Sequence, residues 1–137
     1  MKRFLIIINC LLLLALGLIW CYRLLSAPVV SIVTSESYLQ KWYIEDGFVH
    51  FECHIVIQSR TRKNITFQVQ AFSEDDFQHG LITTAKLKCN TPFLQIGSDE
   101  KKASFEIVFA APHGTATTKT DRLIPETLIL HSITFDP

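Results

Sequence analysis

Among the 137 residues of this chain, His50, Glu52 and His54 are best placed by type and spacing to do chemistry. They alternate with apolar neighbours and so project from one face of a strand. Side chains at i and i+2 converge on zinc or copper when a third ligand arrives from an adjacent strand, and His79, His113 and His131 are the remaining donors. That spacing permits a metal without specifying one, since no HExxH or paired CxxC accompanies it. The commoner setting for such a triplet is a solvated sheet face, so no metal or cofactor is expected, and a metal-binding domain using these histidines is the alternative.

Nucleophilic hydrolysis needs a serine or cysteine beside a base, and the chain has no GxSxG elbow. Cys53 faces the apolar side of its strand, which makes it a poor thiolate. Glu74, Asp75 and Asp76 are three adjacent acids at a strand end, the usual composition of a solvated turn. No catalytic residue is therefore assigned, and an unrecognised small hydrolase is a further alternative. Cys53 and Cys89 both fall in candidate strands. A disulfide between them would enclose 35 residues and add about 3 to 4 kcal/mol, against the simpler expectation of two buried thiols.

For binding, the segment from His113 to Glu126 is the longest stretch without strand periodicity, and loops of that length tend to be functional. His113, Lys119, Asp121, Arg122 and Glu126 are its candidate partner contacts. The last four have a competing role as a local ion-pair group that, with Pro125, aims the final strand. Trp42 and Tyr43, beside Tyr38, form a second candidate surface, because exposed aromatics anchor interfaces. Arg60, Arg62 and Lys63 crown a loop that either meets anionic lipid or keeps a sheet edge from pairing. Asn64, Ile65 and Thr66 spell a glycosylation sequon, which matters only in a eukaryotic or viral host.

These residues must be positioned by two kinds of element. Phe4 to Tyr22 is nineteen residues without a charge, enough to cross roughly 30 Å of hydrocarbon as a helix, with Lys2 and Arg3 before it. The positive-inside tendency then places the N-terminus in the cytoplasm and the rest outside. Cleavage as a secretory signal, leaving a secreted domain, is the alternative. No clean small-x-small site precedes the domain, which favours an uncleaved anchor in contact with the bilayer through residues 4–22.

After the anchor the pattern changes to a period of two. Asn64 to Phe72 is the clearest strand, and Val49 to Ile57, Ser104 to Ala110 and Leu128 to Phe135 repeat it, the last with Ile129, Ile133 and Phe135 on one side. Val29 to Thr34, Leu81 to Cys89 and Phe93 to Ile96 are weaker. Tyr38 to Ile44 reads as a kinked continuation of the first strand, with a turn at Glu45 to Gly47.

About seven short strands and no amphipathic helix predict a mainly β fold: an N-terminal transmembrane helix, then one immunoglobulin-like β-sandwich. The domains are 1–25, cytoplasmic stub and anchor, and 26–137, the extracytoplasmic sandwich. With Tyr38 to Ile44 continuing the first strand, up-and-down counting puts the Arg60 to Lys63 loop and the Ala111 to Glu126 loop at the membrane-facing end, with Glu74 to Asp76 at the far end; if Tyr38 to Ile44 is a separate strand, the poles exchange. Charge excludes one partner class. Three of the 13 basic residues precede Ser26, where no acid stands, so ten basic face 13 acidic residues afterwards, and a mildly acidic domain does not bind nucleic acid. The reading that remains is a single-pass, non-catalytic interaction module of the cell envelope, docking another membrane or envelope protein.

Overall fold

The computed structural model describes residues 1–74, 76–89, 91–115 and 127–137. A single helix, α1 (Lys2–Ser26), takes up the whole apolar stretch. It is exposed from end to end, and by length and composition it is able to cross a membrane. The chain leaves the helix at Ala27 (φ −64°, ψ 134°), because Pro28 disfavours helical geometry in the residue before it.

Eight strands follow among the described residues: β1 (Val30–Ile32), β2 (Tyr38–Glu45), β3 (Phe48–Ser59), β4 (Asn64–Phe72), β5 (Lys88–Cys89), β6 (Leu94–Ile96), β7 (Lys102–Pro112) and β8 (Thr127–Asp136). They form two antiparallel sheets. The larger runs β1-β3-β7-β5 with β2 also on β3, and the smaller runs β6-β4-β8. β1 and β2 lie in line along one edge of β3, Val30 opposite Ser59 and Tyr38 opposite His54, so Tyr38 to Glu45 does continue the first strand. Ser37 bridges the break: its hydroxyl donates to Val33 O (2.8 Å) and accepts from Val56 N (3.0 Å), standing in for a missing ladder partner. Asp46 and Gly47, both at positive φ, close the β2–β3 hairpin, the geometry that two-residue turns between twisted strands require.

Period-two alternation places Val49, Phe51, Cys53, Ile55 and Ile57 of β3 against Ile65, Phe67, Val69 and Ala71 of β4, all buried, and Ile107, Phe109 and Ala111 of β7 complete the core. Phe67 meets Phe105 edge to face, centroids 5.6 Å apart. Leu81, Ile82 and Leu87 are also buried, so the expected strand from Leu81 to Cys89 survives as strand only at Lys88–Cys89, and the rest plugs the open end of the sandwich.

Two expectations are corrected. In β8, Leu128 and Leu130 pack on the core while Ile129 is exposed. A bulge opposite Phe67, with Ser132 at φ 52°, shifts the alternation so that only the distal half of the strand keeps the phase read from Ile133 and Phe135. The poles also differ. Arg60 to Lys63 follows the end of β3 at Ser59, whereas Pro112 lies opposite Phe48 at its start, so the loop after β7 shares a pole with Glu74 and not with Arg60. The count fails because β5 pairs with β7 and β6 with β4, so both run in the same direction and the chain changes sheet without reversing.

Read as strands A, B, E and D, the segments β1/β2, β3, β7 and β5 reproduce the order of one immunoglobulin sheet. The smaller sheet departs from that plan: β6 flanks β4, and among the described residues no strand lies beyond β8. The fold is thus a mainly β, two-sheet sandwich. Replacing Phe67 with alanine is expected to lower unfolding free energy by about 3 to 5 kcal/mol, read from the urea midpoint of the full chain in detergent.

Candidate functional site

His50, Glu52 and His54 stand on the outer face of the larger sheet, and each meets a residue directly opposite on β2. The His50 ring stacks on Tyr43 (centroids 4.9 Å) and the His54 ring on Tyr38 (5.0 Å). Between them Glu52 pairs with Lys41 at 3.3 Å, and Lys41 Nζ lies 5.7 Å from the Tyr43 centroid. On the other side His54 Nδ1 donates to Glu106 of β7 at 2.6 Å. These cross-strand pairs zip the edge segment β2 to β3. Among the described residues, no group of three or more His, Cys, Asp or Glu is arranged to hold a metal ion. Trp42, expected as a contact, points the other way and packs against the core.

The cysteines take the simpler of the two forms weighed for them. Cys53 and Cys89 are both free thiols. They lie on strands separated by β7, Cys53 opposite Ile107 and Cys89 opposite Phe109. Two strand spacings amount to about 10 Å, beyond the roughly 4.4 to 6.8 Å that bridged Cα atoms span. Cys89 Sγ instead lies 2.9 Å from Thr91 Oγ1. Burial, with a smaller contribution from Glu106, pushes the Cys53 thiol up from 9.0 to about 12, so it is no nucleophile at neutral pH.

Of the loop candidates, Lys119, Asp121, Arg122 and Glu126 lie outside the described residues, and His113 lies within them. His113 belongs to the pole opposite the exit of α1, where three segments interlock through their backbones. Its amide donates to Gly47 O (2.7 Å), that of Gly114 to Leu81 O (2.7 Å) and that of Thr83 to Pro112 O (3.1 Å). The His113 Nε2 atom is shielded from solvent and has no hydrogen-bond partner among the described residues. Gly114 is required here, because a Cβ on it would stand 1.9 Å from the Gly80 carbonyl oxygen.

Against this junction sits a feature that sequence reasoning missed. α2 (Asp76–His79) is a left-handed turn, with φ between 45° and 58° at four consecutive non-glycine residues, closed by Gly80 N donating to Asp76 O (2.9 Å). Such geometry costs about 1 to 2 kcal/mol per residue and persists only where its surroundings over-determine it. Here Gln78 is buried and its Nε2 donates to Ser73 Oγ (2.8 Å), while Ile82 bridges to His113. The turn leaves Phe77 44% exposed, at the same pole as Phe48 (42%) and Ile44 (47%). The signal in the sequence was a lone aromatic, Phe77, set between acids and His-Gly, outside any strand period.

At the opposite pole a cleft of about 540 Å³ is lined by Arg60, Arg62, Ser98 and Lys101 among others. Ser98 and Lys101 have Ser-x-x-Lys spacing, but on a turn closed by Glu100 N donating to Gly97 O (3.0 Å), not on the helix that presents such a pair in hydrolases. No protein-family model matches the chain, and no curated protein or solved structure is similar to it.

Replacing Gly114 with alanine is expected to cost about 1 to 3 kcal/mol and to speed amide exchange at residues 80–83 before the rest of the core. Because the folded Cys53 holds its proton from pH 9.0 up to about 12 and the unfolded thiol does not, stability should fall as pH rises through that window. Replacing Cys53 with valine should flatten that slope in urea titrations at pH 9 and above.

Proposed function

We propose that this chain is a single-pass, membrane-anchored, non-catalytic interaction module, with α1 as an uncleaved anchor, the N-terminus in the cytoplasm and the sandwich outside it. Its docking surface is the pole farthest from α1, and its partner is a neighbouring membrane or envelope protein. The observation that carries this reading is that Ile44, Phe48 and Phe77 are all exposed at the pole that also holds a left-handed turn fixed by buried contacts. Exposed apolar side chains on a pre-ordered support are what an interface uses as anchors, since little entropy is lost when they dock. Strained backbone retained at one pole of an otherwise regular sandwich is a recurrent mark of a functional site. Immunoglobulin-type order in the larger sheet agrees with a module whose poles carry recognition.

A photo-crosslinking side chain placed at Phe77 or at Phe48 of the full-length protein in its native membrane should yield one adduct of a single size. The same group at Thr134, on the exposed outer face of the smaller sheet, should not. Identical adduct patterns from all three positions, or none from Phe77 and Phe48, would overturn the assignment of the docking pole.

A further inference from the structure

The pole nearest α1 has an opposite character to the docking pole. Only Ala27, Pro28 and Val29 separate the helix from β1, a reach of at most about 11 Å. The amide of Arg60 donates to Val29 O (2.8 Å), which ties the β3–β4 loop to the last residue of that link. The cleft described above opens beside this hydrogen bond, lined by Arg60, Arg62, Lys101, Ser98 and Asp99. At about 540 Å³ it falls within the roughly 300 to 1,000 Å³ of small-ligand sites.

Charge distinguishes this pole. On the outer sheet face Lys41 is paired with Glu52, and at this pole Lys102, opposite Gln58, is paired with Glu36. Arg60, Arg62, Lys63 and Lys101 take part in no ion pair among the described residues, and Asp99 is the single carboxylate in the cleft lining. At the other pole stand Glu45, Asp46, Glu74 and Asp76. Glu100 and Asp136 also stand at the near pole, and Lys86 and Lys88 toward the far one, so the contrast lies in the cleft itself, where three cations face one carboxylate. Apolar side chains accompany the cations, with Val29 and Phe135 both about half exposed and Phe135 one residue before the end of β8.

We propose that the cleft between the β3–β4 loop and the 97–101 turn binds the phosphate of an anionic phospholipid headgroup in the membrane that α1 crosses, through Arg60, Arg62 and Lys101. This rests on the anchoring reading above. Two arginines present planar donor forks suited to phosphate oxygens, and the lysine adds a point charge. The short link holds them within about one Debye length of the headgroup layer, where a surface charge still acts. Val29 and Phe135 favour a lipid over a free phosphate ion, because they give the acyl boundary something to meet.

The test reconstitutes the full-length protein into nanodiscs of phosphatidylcholine alone and of phosphatidylcholine with phosphatidylglycerol, and follows amide exchange at residues 59–63 and 98–101. The expected result is about fivefold or more slower exchange in the anionic discs, the effect of roughly one favourable charge contact, with residues 76–83 unchanged. The protection should vanish in the triple variant Arg60→Gln, Arg62→Gln, Lys101→Gln, whose fold is checked by exchange in the β3 and β4 core. Equal exchange in both discs would overturn the proposal while leaving the anchor intact. Loss of the protection on adding millimolar inorganic phosphate would also overturn it, in favour of a free-ion site. Failure to enter either disc would overturn the anchoring reading and this proposal with it.

Discussion

The structure depends on one contact, the inner row of β3 against the inner row of β4. β3 is hydrogen-bonded on both edges, by β1 and β2 on one and β7 on the other, so its position fixes the larger sheet. Its inward residues alternate from Val49 to Ile57, with Val56 of the outer face buried as well, and they meet a regular row from Ile65 to Ala71. A slip of one residue in either strand would bring His50, Glu52 and His54, or Thr66, Gln68 and Gln70, into the core. The cost of burying several polar groups without partners exceeds the whole stability of a domain this size, which is why the register is unique. The outer face follows from the same fact. Because the apolar row must point inward, the histidines must point outward, and β2 answers them with Tyr43, Lys41 and Tyr38 in matching register.

What could be read from the residues follows this division between strong and weak periodicity. β4 was legible to its end residues, and β3 and β7 to within two or three, because each carries an unbroken period of two. The Asp46–Gly47 hairpin and the apolar helix were legible for other reasons, one from turn chemistry and the other from length. The phase of β8 was not, since a bulge adds one residue and the sequence Leu128 to Phe135 offers two overlapping apolar rows. Nor was the path from Phe72 to Lys102, where the chain passes from one sheet to the other in short pieces whose pairing depends on strands distant in sequence. The choice between a disulfide and two thiols was open on that account: only the placement of β7 between β3 and β5 keeps Cys53 and Cys89 apart.

The candidate site was the least legible part. Four non-glycine residues in left-handed geometry contradict local preference at Phe77 and Gln78, and no propensity argument selects them. They are imposed from outside, by the burial of Gln78 beside Ser73 and by the close passage of Gly114 under Gly80. His113 was found as a loop residue with a polar ring, yet its place is structural as much as exposed, since its backbone is the point where the hairpin at Gly47 and the plug at Ile82 are joined.

On the anchoring reading, the short link between α1 and β1 gives the two poles different tasks. β3 has twelve residues and spans about 40 Å at roughly 3.4 Å per residue, so the far pole stands well beyond the reach of the headgroups while the near pole lies among them. Acidic residues near the membrane would be repelled by anionic lipid, and basic residues at the far pole would pull the sandwich flat onto it. The near end gathers Arg60, Arg62 and Lys101 in one cleft, with Asp99, Glu100 and Asp136 nearby, and the far end carries Glu45, Asp46, Glu74 and Asp76. On the proposed reading, this cleft would draw the near end to the membrane and leave Phe77 and Phe48 facing a neighbour. An interaction module with a three-residue link has little freedom to search, so orientation by charge is the means left to it for bringing its apolar pole to a partner in the same membrane.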